Sequence, residues 1–104
     1  YYKLIKNFRL GERMHVYEVN IEIRADLEKK YFKWLKDHVV EMLEIKGFLF
    51  AEIFKNDNIL VRYMIDNEKS FNNYINDGAK QMRGNLPKEF EGQVQITRKD
   101  YKHR

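Results

Sequence analysis

The chain has 104 residues, 43% of them hydrophobic, including seven Phe, seven Tyr and one Trp, enough for a single domain with one core. The absence of cysteine excludes disulfide scaffolds, thiolate catalysis and cysteine-ligated metal sites. The net charge of +4 is concentrated at the ends, with +3 in residues 1–13, +3 in residues 98–104 and −2 in Met14–Thr97, which argues against a polyanionic partner such as nucleic acid.

Residues 1–13 are expected to be a leader or a short N-terminal extension, packed in the second case by Leu4, Ile5, Phe8 and Leu10. They contain no continuous apolar stretch of the signal-peptide kind. No run anywhere in the chain approaches the roughly 18 apolar residues that span a bilayer. The expected setting is a soluble, cytoplasmic domain over residues 14–101, followed by a basic tail at 102–104.

Met14–Ile23 alternates with period 2 and is rich in Val and Ile, which predicts a strand. Asp26 is placed to cap a helix over Leu27–Lys46, where Leu27, Tyr31, Trp34, Leu35, His38, Met42 and Ile45 form one apolar stripe. Gly47 is the expected C-cap. Phe48–Lys55 and Ile59–Ile65 read as strands joined by an Asn56-Asp57-Asn58 hairpin turn. Asp66-Asn67 introduces a second helix over Glu68–Arg83, weakened at Gly78. After the break at Gly84-Asn85-Leu86-Pro87, Gln93–Arg98 alternates again as a fourth strand.

The order β-α-β-β-α-β predicts an α+β, ferredoxin-like fold, a four-stranded antiparallel sheet with two helices on one face. Tyr17, Val19, Ile21, Ile59, Val61, Tyr63, Val94 and Ile96, joined by Leu49, Ala51 and Ile53, are assigned to the helix face. The opposite face would then carry Met14, Val16, Glu18, Phe48, Phe50, Glu52, Phe54, Leu60, Arg62 and Met64. One layer of helices covers only one side. An aromatic second side with a few charges predicts an interface or pocket, and the expected cover is a second copy of the chain.

Candidate functional residues follow from that geometry. His38 could serve as a general base, though a packed histidine is the plainer reading. Glu18, Glu52 and Arg62 would share the open face, with Arg62 pairing Glu52 across the hairpin, either as register-setting ion pairs or as groups that orient a ligand. In an enzyme, His38 or Glu52 would be the base, Arg62 would hold an anionic substrate and Trp34 would wall the pocket. In a binding module, Trp34, Glu18, Phe50 and Arg62 are the candidate ligand contacts. No metal or cofactor is expected, because no zinc spacing, calcium loop or glycine-rich phosphate loop is present. Phe48, Phe50 and Phe54 raise RNA binding as an alternative, but Ile59–Ile65 lacks the Lys/Arg, Gly and Phe pattern of RNA-recognition strands.

The run Met14-His15-Val16-Tyr17-Glu18-Val19-Asn20-Ile21, the pair Trp34 and His38, and Gly47-Phe48 resemble a small bacterial family, domain-of-unknown-function family 4286 (DUF4286). The resemblance extends over about Met14 to Tyr101. It implies a ferredoxin-like architecture related to dimeric α+β barrel proteins, a group that includes cofactor-free monooxygenases, haem-degrading enzymes and sensory ligand-binding modules. It assigns no catalytic residue, and architecture alone transfers no function. The reading is a homodimeric binding or structural module, with a small-ligand cavity between the two sheets. A small monooxygenase-like or isomerase-like enzyme and an RNA-binding module are the alternatives.

Overall fold

A computed structural model describes residues 1–5 and 13–103 of the chain. The strands are β1 (Tyr2–Ile5), β2 (His15–Ile23), β3 (Phe48–Lys55), β4 (Ile59–Ile65) and β5 (Val94–Lys102). The helices are α1 (Ala25–Met42), α2 (Glu68–Asp77) and α3 (Ala79–Arg83), and a single 3-10 turn covers Lys88–Phe90. The strands form one antiparallel sheet in the order β1-β3-β4-β2-β5. The four expected strands make the ferredoxin-like β-α-β-β-α-β unit, and β1 adds a fifth at the β3 edge, pairing Tyr2 with Ile53 and Leu4 with Ala51. Leu4 packs against the helix-side core, whereas Phe8, Leu10 and the side chain of Ile5 lie outside the described residues.

The main core lies between the sheet and the helices. Tyr31, Leu35, Val39 and Met42 of α1 and Phe71 and Tyr74 of α2 meet Tyr17, Ile21, Ile53, Ile59, Val61, Tyr63 and Ile65. These positions follow the 3.6 and 2.0 periods of the sequence. Asn67 caps α2 as expected, its side chain accepting from the Ser70 amide at 2.8 Å. Asp26 does not cap α1: Arg24 occupies the N-cap, and the Asp26 carboxylate instead binds the Arg24 guanidinium. The helix stops at Met42, short of Lys46, and Gly47 (φ +93°) turns the chain into β3 rather than capping the helix. The second helix breaks at Gly78 into α2 and α3, because glycine contributes no side chain to stiffen that turn.

Two features correct the expected assignment of faces. A β-bulge between Phe48 and Phe50 inserts one extra residue opposite β4. Phe48 therefore enters the helix-side core beside Tyr63 and Tyr74, and Leu49 moves to the open face, the reverse of their expected sides. On that open face, Met14, Val16, Leu49, Phe50 and Met64 form a second cluster, each at most 9% exposed within one chain. β5 also runs past the alternating segment to Lys102. Lys99–Lys102 pairs with His15–Glu18, and polar residues are tolerated there because β5 is an exposed edge strand. Among the described residues, no helix is long and apolar enough to cross a membrane.

Candidate functional site

The polar centre of the open face is built on Glu18. Cross-strand register sets Glu18 opposite Arg62 on one side and Lys99 on the other. Arg62 Nε donates to Glu18 Oε2 at 2.8 Å, the Tyr101 hydroxyl donates to the same oxygen at 2.5 Å, and Lys99 Nζ lies 3.5 Å from Oε1. Glu18 is only 5% exposed. Burial pushes its carboxyl up, but the Tyr101 hydroxyl, Arg62 and Lys99 together hold it below the ordinary glutamate value. The same ion pair raises the Arg62 guanidinium.

Glu52 is the register partner of Arg62, yet the ion pair goes to Glu18, and Glu52 instead accepts from the Tyr1 hydroxyl at 2.5 Å. The expected Arg62–Glu52 pair is thus replaced by Arg62–Glu18. The Arg62 guanidinium also lies 5.3 Å from the centre of the Phe54 ring. Phe50 belongs to the buried apolar cluster, and Phe48 lies on the other side of the sheet, so neither offers a face to a nucleic-acid base.

The second candidate site lies on the opposite side of the sheet. A cavity of about 70 Å³ opens between the sheet, α1 and α3, with Tyr17, Tyr31, Trp34, His38, Tyr63, Tyr74, Met82, Arg83, Leu86, Ile96 and Arg98 among its lining residues. Trp34 and His38, one turn apart on α1, stack with ring centres 4.7 Å apart and planes 17° apart. His38 Nδ1 is buried and, among the described residues, has no hydrogen-bond partner. Burial pushes the imidazole below its ordinary value, against a smaller opposing pull from Glu41, so the ring is neutral at pH 7. Burial also pushes the phenols of Tyr31 and Tyr74 up to about 12, and that of the fully enclosed Tyr63 well up. These hydroxyls remain protonated donors at neutral pH.

The structure therefore divides the residues that sequence reasoning had combined. His38 and Trp34 meet in the helix–sheet cavity, while Glu18, Glu52 and Arg62 lie across the sheet and share no pocket with them. Sequence reasoning missed the cavity's tyrosines and its two arginines. The available signal was that Tyr17, Tyr31, Tyr63 and Tyr74 all fall on inward positions, where a hydroxyl needs a partner or a space. It also missed His15, which is 4% exposed with Nε2 at 2.7 Å from Asp100 Oδ2. Among the described residues, no group of three His, Asp or Glu side chains gathers as a metal-ligand set.

Solved structures share this fold at low identity. A Bacteroides thetaiotaomicron protein of unknown function, described as a possible oxidoreductase, superposes with a TM-score of 0.68 at 12% identity, over 89% of this chain and 100% of that one. A Fusobacterium nucleatum protein named "Putative monooxygenase" gives 0.69 at 12% identity over 96% of this chain, which spans only 46% of that protein's length. A dimeric ferredoxin-like protein from an uncultured marine organism gives 0.69 at 12% identity, over 88% of this chain and 96% of that one. At such identity the likeness shows the fold alone. No curated protein matches the chain. The family comparison covers nearly all of the ferredoxin-like unit: residues 14–103 match the domain of unknown function DUF4286, and the chain belongs to that family.

Proposed function

We propose that this protein is a homodimeric small-molecule-binding module, with the ligand in the helix–sheet cavity and a second copy against the open sheet face. The observation that carries the ligand half is the helix–sheet cavity itself, walled by Trp34, His38 and four tyrosines, with Arg83 and Arg98 among its lining residues. A concave, largely aromatic space with a few polar groups is the usual setting for a small ligand. The dimer half is supported by the open face, where half-buried Leu60 and Phe54 lie beside the Glu18–Arg62 pair and, among the described residues, no helix covers them. The dimeric description of one structural neighbour supports it further.

Native mass spectrometry of freshly purified protein tests both halves. The expected result is a dimer carrying an extra small-molecule mass that is lost on denaturation. Met82→Trp, which fills the cavity mouth, should remove the added mass and keep the dimer. A monomer overturns the dimer half. Protein that carries no small molecule and takes up none from a fragment library overturns the ligand half.

A second reading is a cofactor-free monooxygenase-like or isomerase-like enzyme. It is supported by a neutral imidazole held beside phenol donors, the arrangement needed to remove a proton from an acidic carbon or a phenol. The descriptions of two neighbours as possible oxidoreductase and monooxygenase point the same way. In that reading His38 is the base, and Glu52 and Arg62, across the sheet, have no part in the step. The protein should accelerate proton–deuterium exchange at the acidic carbon of a β-dicarbonyl compound above the rate in buffer, and His38→Ala should remove that acceleration. Acceleration that persists in the folded variant removes His38 from the role.

A further inference from the structure

The charged groups lining the cavity are of one sign. Arg83 comes from α3 and Arg98 from β5, and among the described residues no Asp or Glu lines this cavity with them. Among the described residues, neither guanidinium forms an ion pair. Arg98 stands opposite Val19 in the sheet register, which directs it to the helix side, and Arg83 Nη2 reaches the Tyr17 hydroxyl at 3.4 Å. Arg83 departs from the surrounding sequence, since Met14–Thr97 carries a net charge of −2, and β5 brings Arg98 from the basic end of the chain to join it. Behind them the walls are flat rings. Tyr17 stacks on Tyr63 at 5.8 Å and lies 5.9 Å from Tyr74.

We propose that the helix–sheet cavity binds a flat aromatic carboxylate, its ring between the tyrosines and Trp34 and its carboxylate at Arg83 and Arg98. This rests on the ligand-binding reading above and adds the chemical class. Guanidinium groups suit a carboxylate because their planar donors match its two oxygens. The neutral His38 and the phenol donors accept a ring bearing a hydroxyl or carbonyl at its far end. The cavity of about 70 Å³ is smaller than the roughly 150 Å³ apolar cavity that accepts benzene. The ring therefore enters as Met82 swings outward. Met82 is half-buried, sits on the five-residue α3 between Gly78 and Gly84, and has a flexible side chain.

Trp34 is the only tryptophan and lines the cavity, so its emission reports occupancy directly. Phenylacetate and its neutral isostere phenylacetamide should be titrated against the full-length protein. The acid is expected to change Trp34 emission saturably and to bind at least about tenfold more tightly than the amide, with an affinity that falls as salt is added. In R83Q/R98Q the acid should lose that advantage while the amide is unaffected. If the double variant melts early, R83Q and R98Q alone should each remove part of it. Equal binding of acid and amide, or a preference that survives both substitutions, overturns the proposal and leaves the cavity standing as a neutral ligand site. A silent Trp34 with both compounds overturns it as well, and the native mass measurement then decides separately whether the cavity binds anything.

Discussion

At the scale of single residues, the polar groups on the two faces answer differently to pH. The folded state holds the Glu18 carboxyl below its ordinary value, so the unfolded chain takes up the proton first as pH falls. Glu18 therefore contributes stability above about pH 4.5 that is lost on further acidification. Glu18→Gln should cost about 1.5–3 kcal/mol at neutral pH, the range for hydrogen bonds to a charged group. Denaturant melts across the acid range should show that difference shrinking below pH 4.5. His38 also has a lowered folded-state value, so its contribution is present above 6.5 and declines below it. His38→Gln should flatten that part of the stability profile, whereas Glu18→Gln leaves it in place.

At the scale of elements, glycines at two junctions should respond in opposite directions. At Gly47, a Cβ would stand 2.5 Å from Ser70 Cβ and 2.7 Å from Asp66 Oδ1, on a backbone with φ of +93°. Gly47→Ala should lower stability by at least about 1–2 kcal/mol and the melting temperature by several degrees. Gly78, between α2 and α3, has an ordinary negative φ, and its Cβ would make a normal 3.5 Å contact with Tyr74. Gly78→Ala should stabilise by about 0.4–1 kcal/mol through the unfolded chain's lost freedom. Calorimetry on the two variants checks both signs. The types of β2, β3, β4, α1 and α2 were legible from periodicity, but the helix ends were not: α1 stops at Met42 and the second helix breaks at Gly78. The bulge in β3 was not, because it depends on how β4 pairs with that strand, and Phe48-Leu49-Phe50 is apolar at every position.

At the scale of the molecule, the open face is divided. One end is an apolar cluster buried within a single chain, and the rest carries the Glu18–Arg62 pair with half-buried Leu60 and Phe54 beside it. A substitution at Phe50 therefore probes folding: Phe50→Asp would bury a carboxylate in the Met14–Met64 cluster and should unfold the chain. Leu60→Glu is the matching probe of assembly. Light scattering should show the proposed dimer shifting to monomer with little change in single-chain helicity. A dimer that survives this change does not use the open face.

The local pattern of apolar residues determined the helices, the four main strands and the ferredoxin-like order, because side-chain period is a property of neighbouring positions in the chain. The short motifs around Tyr17, Trp34 with His38, and Gly47-Phe48 also carried the family. Tertiary structure decided what those motifs serve. With β4 between β2 and β3, Arg62 faced both Glu18 and Glu52 and formed its ion pair with Glu18, the bulge exchanged Phe48 and Leu49, and β5 placed Arg98 at the cavity and reached far enough to bring Lys99 and Tyr101 to Glu18. Each of these depends on which strand lies beside which, and on one extra residue in one of them. Residues distant along the chain become neighbours only when the sheet closes, so the two sides of the sheet, and the two candidate sites on them, separate only at that level.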